Sequence, residues 1–150
     1  KKFKNIKDFN NWWEKSKNKN LSGLLDDIPN NYPAILKSNK IQKKVANVGF
    51  EYKSDLDALN KVIEEVNELK KEIKKKNKRK IQEELGDMLF ASLDVARKLN
   101  LNPETSLAKS NIKFSKRWRK LELLIFKDKK KFNDLNANDF NDYWNKSKIN

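Results

Sequence analysis

Two short acidic segments, EEVNE and EELGD, follow each other in the middle of the chain. Residues three apart lie on one face of a helix, so Glu65 and Glu68 point the same way, as do Glu84 and Asp87. If the two helices pack antiparallel, these four carboxylates converge. An all-oxygen cluster suits a hard divalent cation, Mg²⁺ or Mn²⁺, better than zinc. The chain has no histidine and no cysteine that could add nitrogen or sulfur ligands.

The pattern around these acids predicts two amphipathic helices joined by the lysine-rich turn 74–80. On a helical wheel the acids flank the apolar side of each helix, where unpaired carboxylates would repel one another unless a cation joined them. The alternative is a solvated charged face, and the pattern alone leaves both open. The predicted apolar stripes comprise Leu59, Val62, Val66, Leu69 and Ile73 in the first helix and Ile81, Leu85, Met88, Leu89, Val95, Ala96 and Leu99 in the second.

The two segments resemble the EExxE…ExxD motif of the all-α nucleoside triphosphate pyrophosphohydrolases, specifically the MazG family. The resemblance extends through LLDDIP, PAILKSNKIQKKVANVGFEY and KSNIKFSKRWR to the tryptophan and lysine near the C-terminus. It implies an all-α fold, a four-helix MazG-like bundle with a short extra C-terminal helix, that forms a homodimer. The implied reaction is Mg²⁺-dependent hydrolysis of nucleoside triphosphates to monophosphate and pyrophosphate, in cytoplasmic housekeeping of the nucleotide pool.

The resemblance also implies roles for individual residues. The metal ligands would be Glu65, Glu68, Glu84 and Asp87. The positions that match substrate-binding residues of the family are Lys61, Lys80, Lys113, Arg117, Trp144 and Lys148. The chain departs from the family pattern at Asp94, where relatives commonly have asparagine, and this residue adds a fifth acid near the metal site. It also lacks a glycine expected before the final helix.

Further roles follow from residue chemistry. Glu64 and Glu83 stand next to the proposed ligands, and we expect one of them to accept a proton from water or to orient a ligand. Lys113 and Arg117 are four residues apart and share a helix face, where a guanidinium fork and a point charge can hold phosphate oxygens. Trp144 would stack on a base or pack against a helix.

Composition limits the remaining possibilities. A chain of 150 residues suits one domain, and 37% hydrophobic content with three glycines and three prolines favours helices. The lack of cysteine excludes disulfides and fits a reducing cytoplasm. No apolar run approaches the roughly 20 residues that cross a bilayer, so we expect no membrane partner.

The net charge of +14 raises nucleic acid as a partner. We expect only nonspecific binding, because lysine is spread along the chain without a basic stripe or an interleaved aromatic platform. Two rival functions remain at this stage, which are a helical nucleic-acid-binding module and a noncatalytic homologue that serves as an interaction domain.

The chain contains a near repeat, DFNNWWEKSK at 8–17 and DFNDYWNKSK at 139–148. MazG-like proteins often carry two related domains in tandem, and each ends in such a segment. We therefore predict that residues 1–23 are the tail of a preceding domain plus a linker, and that residues 24–150 form the pyrophosphohydrolase domain.

Local signals predict the helix boundaries. The first helix runs from near Pro33 to about Asn47 and stops at Gly49. Ser54 or Asp55 caps the second helix. The third runs from about Lys80 to Leu99, the fourth from Pro103 to about Lys127, and a short last helix starts at Asp139. The side chains predicted to pack are Ala34, Ile35, Ile41, Val45, Val48, Phe50, Tyr52, Leu107, Ile112, Phe114, Trp118, Leu121, Leu124 and Ile125, with Phe50 and Tyr52 as alternative holders of a base.

Overall fold

Residues 23–148 are described by a computed structural model, and the regular secondary structure in this range is entirely helical. The all-α prediction is confirmed. No helix in the described range is both long and apolar enough to cross a membrane. The elements are α1 (Ala34–Asn47), α2 (Asp55–Lys75), α3 (Lys78–Lys98), α4 (Pro103–Lys127), a 3₁₀ turn (Phe132–Asp134) and α5 (Ala137–Lys146).

Capping side chains fix the ends of α2 and α3. The Ser54 hydroxyl accepts from the backbone N–H of Asp57 at 3.1 Å, and the Asp57 carboxylate accepts from the Ser54 N–H at 3.0 Å, which completes a capping box. Lys76 ends α2 in a left-handed conformation, and the Asn77 side chain caps α3. Because only these two residues join the helices, α2 and α3 form a tight antiparallel hairpin.

Helix α1 lies against α3. The Gln42 amide on α1 donates a hydrogen bond to the backbone oxygen of Phe90 on α3 at 2.7 Å. Gly49, at φ +96°, adopts a backbone conformation that favours glycine and lets the chain turn after the helix, as predicted. Ala34, predicted to be buried, is exposed in the first turn of α1, so that prediction is wrong.

The packing of α2 on α3 differs from the predicted stripe. The buried positions are Ala58 and Glu65 on α2 and Ala91 and Asp94 on α3, while Leu59 is largely exposed. Alanines let two helices approach closely, because interaxial distance depends on the side chains at the contact. The helix contact therefore runs beside the larger apolar residues, and part of the predicted stripe faces outward (Leu59, Val66, Ile73, Leu85, Leu89 and Leu99).

The chain divides into two compact units, one up to Pro103 and one from Glu104. The core of the second unit is formed by Leu121, Ile125 and Tyr143, with Leu124, Leu135, Phe140 and Trp144 partly buried against it. Leu121 and Ile125 were predicted to be buried, and this is confirmed. The prediction is wrong for four other positions on α4, because Leu107, Ile112, Phe114 and Trp118 are exposed.

The predicted tail of a preceding domain, residues 1–23, lies outside the described residues except for Gly23. The first copy of the repeat, residues 8–17, lies outside them as well. The second copy forms most of α5 and the turn after it. The assignment of residues 1–23 and 24–150 to two domains stays a prediction.

The Tyr143 hydroxyl donates to the Asp128 carboxylate at 2.7 Å, and this hydrogen bond raises the pKa of Tyr143 to about 12. The bond stabilises the folded chain below pH 10, and its contribution is lost as the pH rises through 12. We expect Tyr143→Phe to melt a few degrees below the wild type at pH 8, with the gap closing at pH 12. Thermal denaturation of both proteins between pH 8 and pH 12 measures this difference in melting temperature. A gap that does not change with pH would contradict the assignment.

Candidate active site

Three carboxylates meet where α2 contacts α3. Glu65 reaches from α2, and Glu84 and Asp87 lie one turn apart on α3; each offers an oxygen, and these oxygens all lie within 4.8 Å of one another. Glu65 is only 5% exposed. The antiparallel hairpin produces this convergence, as the spacing of the acids predicts. We call Glu65, Glu84 and Asp87 the carboxylate cluster.

Glu68, the fourth predicted metal ligand, is not in the carboxylate cluster, but its charge acts on it. Burial raises the pKa of Glu84, and the negative charge of Glu68 raises it further. Asp87 and Glu65 contribute in the same direction, while Lys80 opposes them. The cluster therefore carries repulsion that the neighbouring lysine does not fully offset, which is the electrostatic condition that a bound cation relieves.

Each helix places a lysine one turn before its acids. Lys61 contacts Glu65 at 2.7 Å and Glu64 at 2.9 Å, and hydrogen bonds to these two carboxylates raise the pKa of Lys61. Lys80 contacts Glu83 at 2.7 Å, which raises the pKa of Lys80 and lowers that of Glu83. Both lysines are therefore firmly cationic. The two helices carry the same spacing, Lys-x-x-Glu-Glu-x-x-acid, on both sides of the hairpin.

A cavity of about 450 Å³ adjoins the carboxylate cluster, within the size range of small-molecule sites. We call it the main cavity. Lys61, Glu65 and Asp87 line it, together with apolar and aromatic side chains. The residues that complete its lining are Gln42, Val45, Gly49, Phe50, Glu51, Tyr52, Phe90, Ala91 and Asp94.

Phe50 retains 78% of its surface exposed, so the prediction that it is a packing residue is wrong. It follows Gly49 and lines the main cavity together with Tyr52. Both rings follow the turn at Gly49, and contact with a base stays a prediction for them. Sequence reasoning did not assign Gln42 to the site; the available signal was a polar residue among the predicted packing positions of α1.

Asp94 is not part of the carboxylate cluster. Its carboxylate accepts from the Arg97 guanidinium at 2.5 Å, and Arg97 also contacts Glu51 at 3.1 Å. The Asp94–Arg97 ion pair is largely buried, and Arg97 neutralises the charge of this fifth acid near the site. Asp94 instead lines the main cavity, two turns along α3 from Asp87.

The second unit carries the other four predicted substrate-binding residues. Lys113 and Arg117 on α4 and Lys148 after α5 line one groove of about 380 Å³. The Arg117 guanidinium carbon lies 5.9 Å from the ring centre of Trp144, within cation–π range. Trp144 also packs on Phe114, with ring centres 5.1 Å apart. The four residues thus come together within this unit, and their role stays a prediction.

Comparison with known proteins places this arrangement in a family. Residues 53–121 match the family model of the MazG nucleotide pyrophosphohydrolase domain. This range contains α2, α3 and every acidic residue of the predicted metal site. Residues 53–121 therefore form a MazG domain.

Individual relatives match over a wider range. The chain is 40% identical over 103 residues to a nucleoside triphosphate pyrophosphohydrolase of Escherichia coli K12, covering 67% of this chain and 39% of that protein. It is 35% identical over 140 residues to nucleoside triphosphate pyrophosphohydrolase/pyrophosphatase MazG of Thermotoga maritima, covering 91% and 54%. An uncharacterized Bacillus subtilis protein, YabN, is 35% identical over 133 residues, covering 88% and 27%. The chain therefore spans from about a quarter to about half of the length of these relatives.

The electrostatics of the carboxylate cluster predict that Mg²⁺ changes the order of stability between the wild type and Glu84→Gln. Without divalent metal, Glu84→Gln should melt at or above the wild type, because the substitution removes one of the repelling charges. Saturating Mg²⁺ should raise the melting temperature of the wild type more than that of Glu84→Gln. A ligand at 100 times its Kd adds about 2.7 kcal/mol to the free energy of unfolding. Differential scanning fluorimetry in EDTA and in Mg²⁺ measures this. Glu72→Gln, on α2 but outside the cluster, serves as the control and should respond to Mg²⁺ as the wild type does.

Proposed function

We propose that this chain hydrolyses nucleoside triphosphates to nucleoside monophosphate and pyrophosphate in a reaction that requires Mg²⁺, with Mn²⁺ as a substitute. The observation that carries the proposal is the carboxylate cluster, whose oxygens lie within 4.8 Å of one another beside the main cavity. The matched domain and the names of the E. coli and T. maritima relatives support the same reaction.

The residues of the site fit a divalent cation. Glu65, Glu84 and Asp87 offer only oxygen, which hard cations prefer, and the negative charge of Glu68 acts on the same site. A divalent cation bound there would activate water and neutralise charge on phosphate oxygens. Burial and the charges of the neighbouring carboxylates raise the pKa of Glu84, which is the electrostatic setting that a bound cation would relieve.

The lysines of the hairpin would stabilise negative charge that develops on the phosphates. Lys61 lines the main cavity beside Glu65, and Lys80 stands one turn before Glu84. In the second unit, Lys113, Arg117 and Lys148 share a groove, and we propose that these cationic side chains bind phosphate oxygens. Trp144, beside Arg117, would stack on a base.

Glu64 and Glu83 would act through their neighbours more than as proton acceptors. Glu64 holds Lys61 at 2.9 Å, and Glu83 holds Lys80 at 2.7 Å. Because the hydrogen bond from Lys80 lowers the pKa of Glu83, that carboxylate is a weaker base than an ordinary glutamate. This geometry favours a role in orienting the lysines, with proton transfer as the alternative.

We place the reaction in the cytoplasm, as housekeeping of the nucleotide pool, because that is where such a substrate would be available. The net charge of +14 supports nonspecific binding of polyanions at low salt as an accompanying property. A noncatalytic role would not explain why a buried glutamate, two further carboxylates and two cationic lysines lie together.

Release of pyrophosphate tests the proposal directly. Glu65→Gln and Asp87→Asn should each lower Mg²⁺-dependent release from a mixture of ribo- and deoxynucleoside triphosphates by about 10²–10³-fold, since each removes a carboxylate that would hold the cation and thereby weakens stabilisation of charge on the phosphates. Circular dichroism should show unchanged helicity. Glu72→Gln should retain wild-type turnover. Wild-type rates in both cluster variants would remove these residues from the mechanism.

We also propose that the chain acts as a homodimer. The support is an apolar row on α2, formed by Leu59, Ile63, Val66 and Ile73, each of which is at least 43% exposed. A row of this kind is unusual on a free surface and typical of a protein interface. Sedimentation velocity should give the mass of two chains, and Ile63→Glu with Val66→Glu should shift it to one. A folded wild-type monomer at micromolar concentration would contradict this proposal.

A further inference from the structure

A residue that lines the main cavity carries a buried hydrogen-bond acceptor that has no partner in the described part of the chain. This acceptor is the side-chain oxygen of Gln42, a residue that is only 3% exposed. The other end of the same amide is occupied, because its nitrogen donates to the Phe90 backbone oxygen at 2.7 Å. That bond fixes the orientation of the amide, so the free group is an oxygen acceptor and not a donor.

An unpaired acceptor at such a position destabilises the fold, because burial removes its hydrogen bonds to water and no protein donor replaces them. Gln42 lines the main cavity, the same cavity that Glu65 and Asp87 line. A ligand that enters the cavity can supply the missing donor. The free oxygen therefore indicates what kind of group a ligand of this cavity must present.

The neighbouring polar side chains are acceptors as well. Asp94 and Glu51 line the cavity with carboxylates, each held by Arg97. Arg97 itself is not among the lining residues. The Tyr52 hydroxyl can act as donor or acceptor. The charged and amide side chains away from the carboxylate cluster thus present oxygen atoms, beside the aromatic rings of Phe50 and Phe90.

The direction of the cavity fits a nucleotide. Asp87 and Asp94 both line it and are seven residues apart on α3, so the lining extends about 10 Å along the helix at 1.5 Å per residue. Phosphates at the carboxylate cluster would leave the base among Phe50, Phe90 and Gln42. Aromatic side chains can stack on any base, while a buried polar atom can discriminate between bases.

We propose that Gln42 selects the nucleobase by accepting a hydrogen bond from an exocyclic amino group. The site would then prefer a base that carries an amino group over its keto counterpart, adenine over hypoxanthine and cytosine over uracil. A keto oxygen in the place of the amino group would face the Gln42 oxygen, acceptor against acceptor. This inference rests on the proposed function, and it goes beyond it by naming the substrate class.

Matched substrate pairs test the proposal on the wild-type chain. ATP against ITP and CTP against UTP differ at one amino or keto position and at the neighbouring ring nitrogen, which carries a proton only in the keto base. In the pair that turns over faster, the amino member should have a kcat/KM at least about tenfold higher than the keto member. The reason is that leaving the buried acceptor unpaired costs at least the free energy of one hydrogen bond. Equal values, or a preference for the keto member, would overturn the proposal.

Three variants separate selection from packing. Gln42→Met keeps the size of the side chain and removes the acceptor, so the amino-to-keto ratio should fall to near one. Gln42→Glu loses the donor to Phe90 but retains acceptors, so the preference should persist. Lys43→Met, an exposed neighbour on α1 that does not line the cavity, should keep the wild-type ratio. A ratio unchanged in Gln42→Met would refute the role of this residue.

A binding measurement distinguishes failure of this inference from failure of the proposed reaction. Calorimetric titration with AMP and with IMP needs no turnover. Tighter binding of AMP, lost in Gln42→Met, supports the inference even if no triphosphate is hydrolysed, in which case the proposed reaction alone is wrong. Hydrolysis accompanied by equal binding of AMP and IMP overturns the inference alone.

Discussion

Repulsion between carboxylates at a helix contact is the constraint on which this structure depends. Glu65 is buried where α2 meets α3, facing Glu84 and Asp87. Lysines at the same spacing on both helices offset part of the charge, yet the pKa of Glu84 remains raised. A protein gains no stability from this arrangement by itself, which is the reason to regard it as a site and not as packing.

The elements around the cluster each contribute one property to it. The two-residue connection at Lys76-Asn77 makes the hairpin antiparallel, and small residues at its contact, Ala58 and Ala91, accompany the burial of an acid there. Helix α1 supplies Gln42, and the turn at Gly49 brings aromatic rings to the main cavity. The proposed binding of a nucleotide requires two properties that the cavity has, charge at one end and apolar surface along it.

Much of this could be predicted from the sequence, because the signals are local. Ser54 with Asp57, Pro103 and Gly49 fix helix ends through contacts within a few residues, and i,i+3 spacing brings Glu84 and Asp87 together. The burial pattern was less predictable. Leu59 satisfies the helical period yet is exposed, since the alanines set the contact beside it. Gln42 has no periodic signature at all, because its importance depends on Phe90, 48 residues away.

The most direct test of the account is the position of a bound metal. Crystals of the chain soaked in Mn²⁺ should show an anomalous peak coordinated by oxygens of Glu65, Glu84 and Asp87, and the peak should vanish in Asp87→Asn. Electron density that shows these three carboxylates apart, with manganese absent or bound elsewhere on the hairpin, would contradict the account.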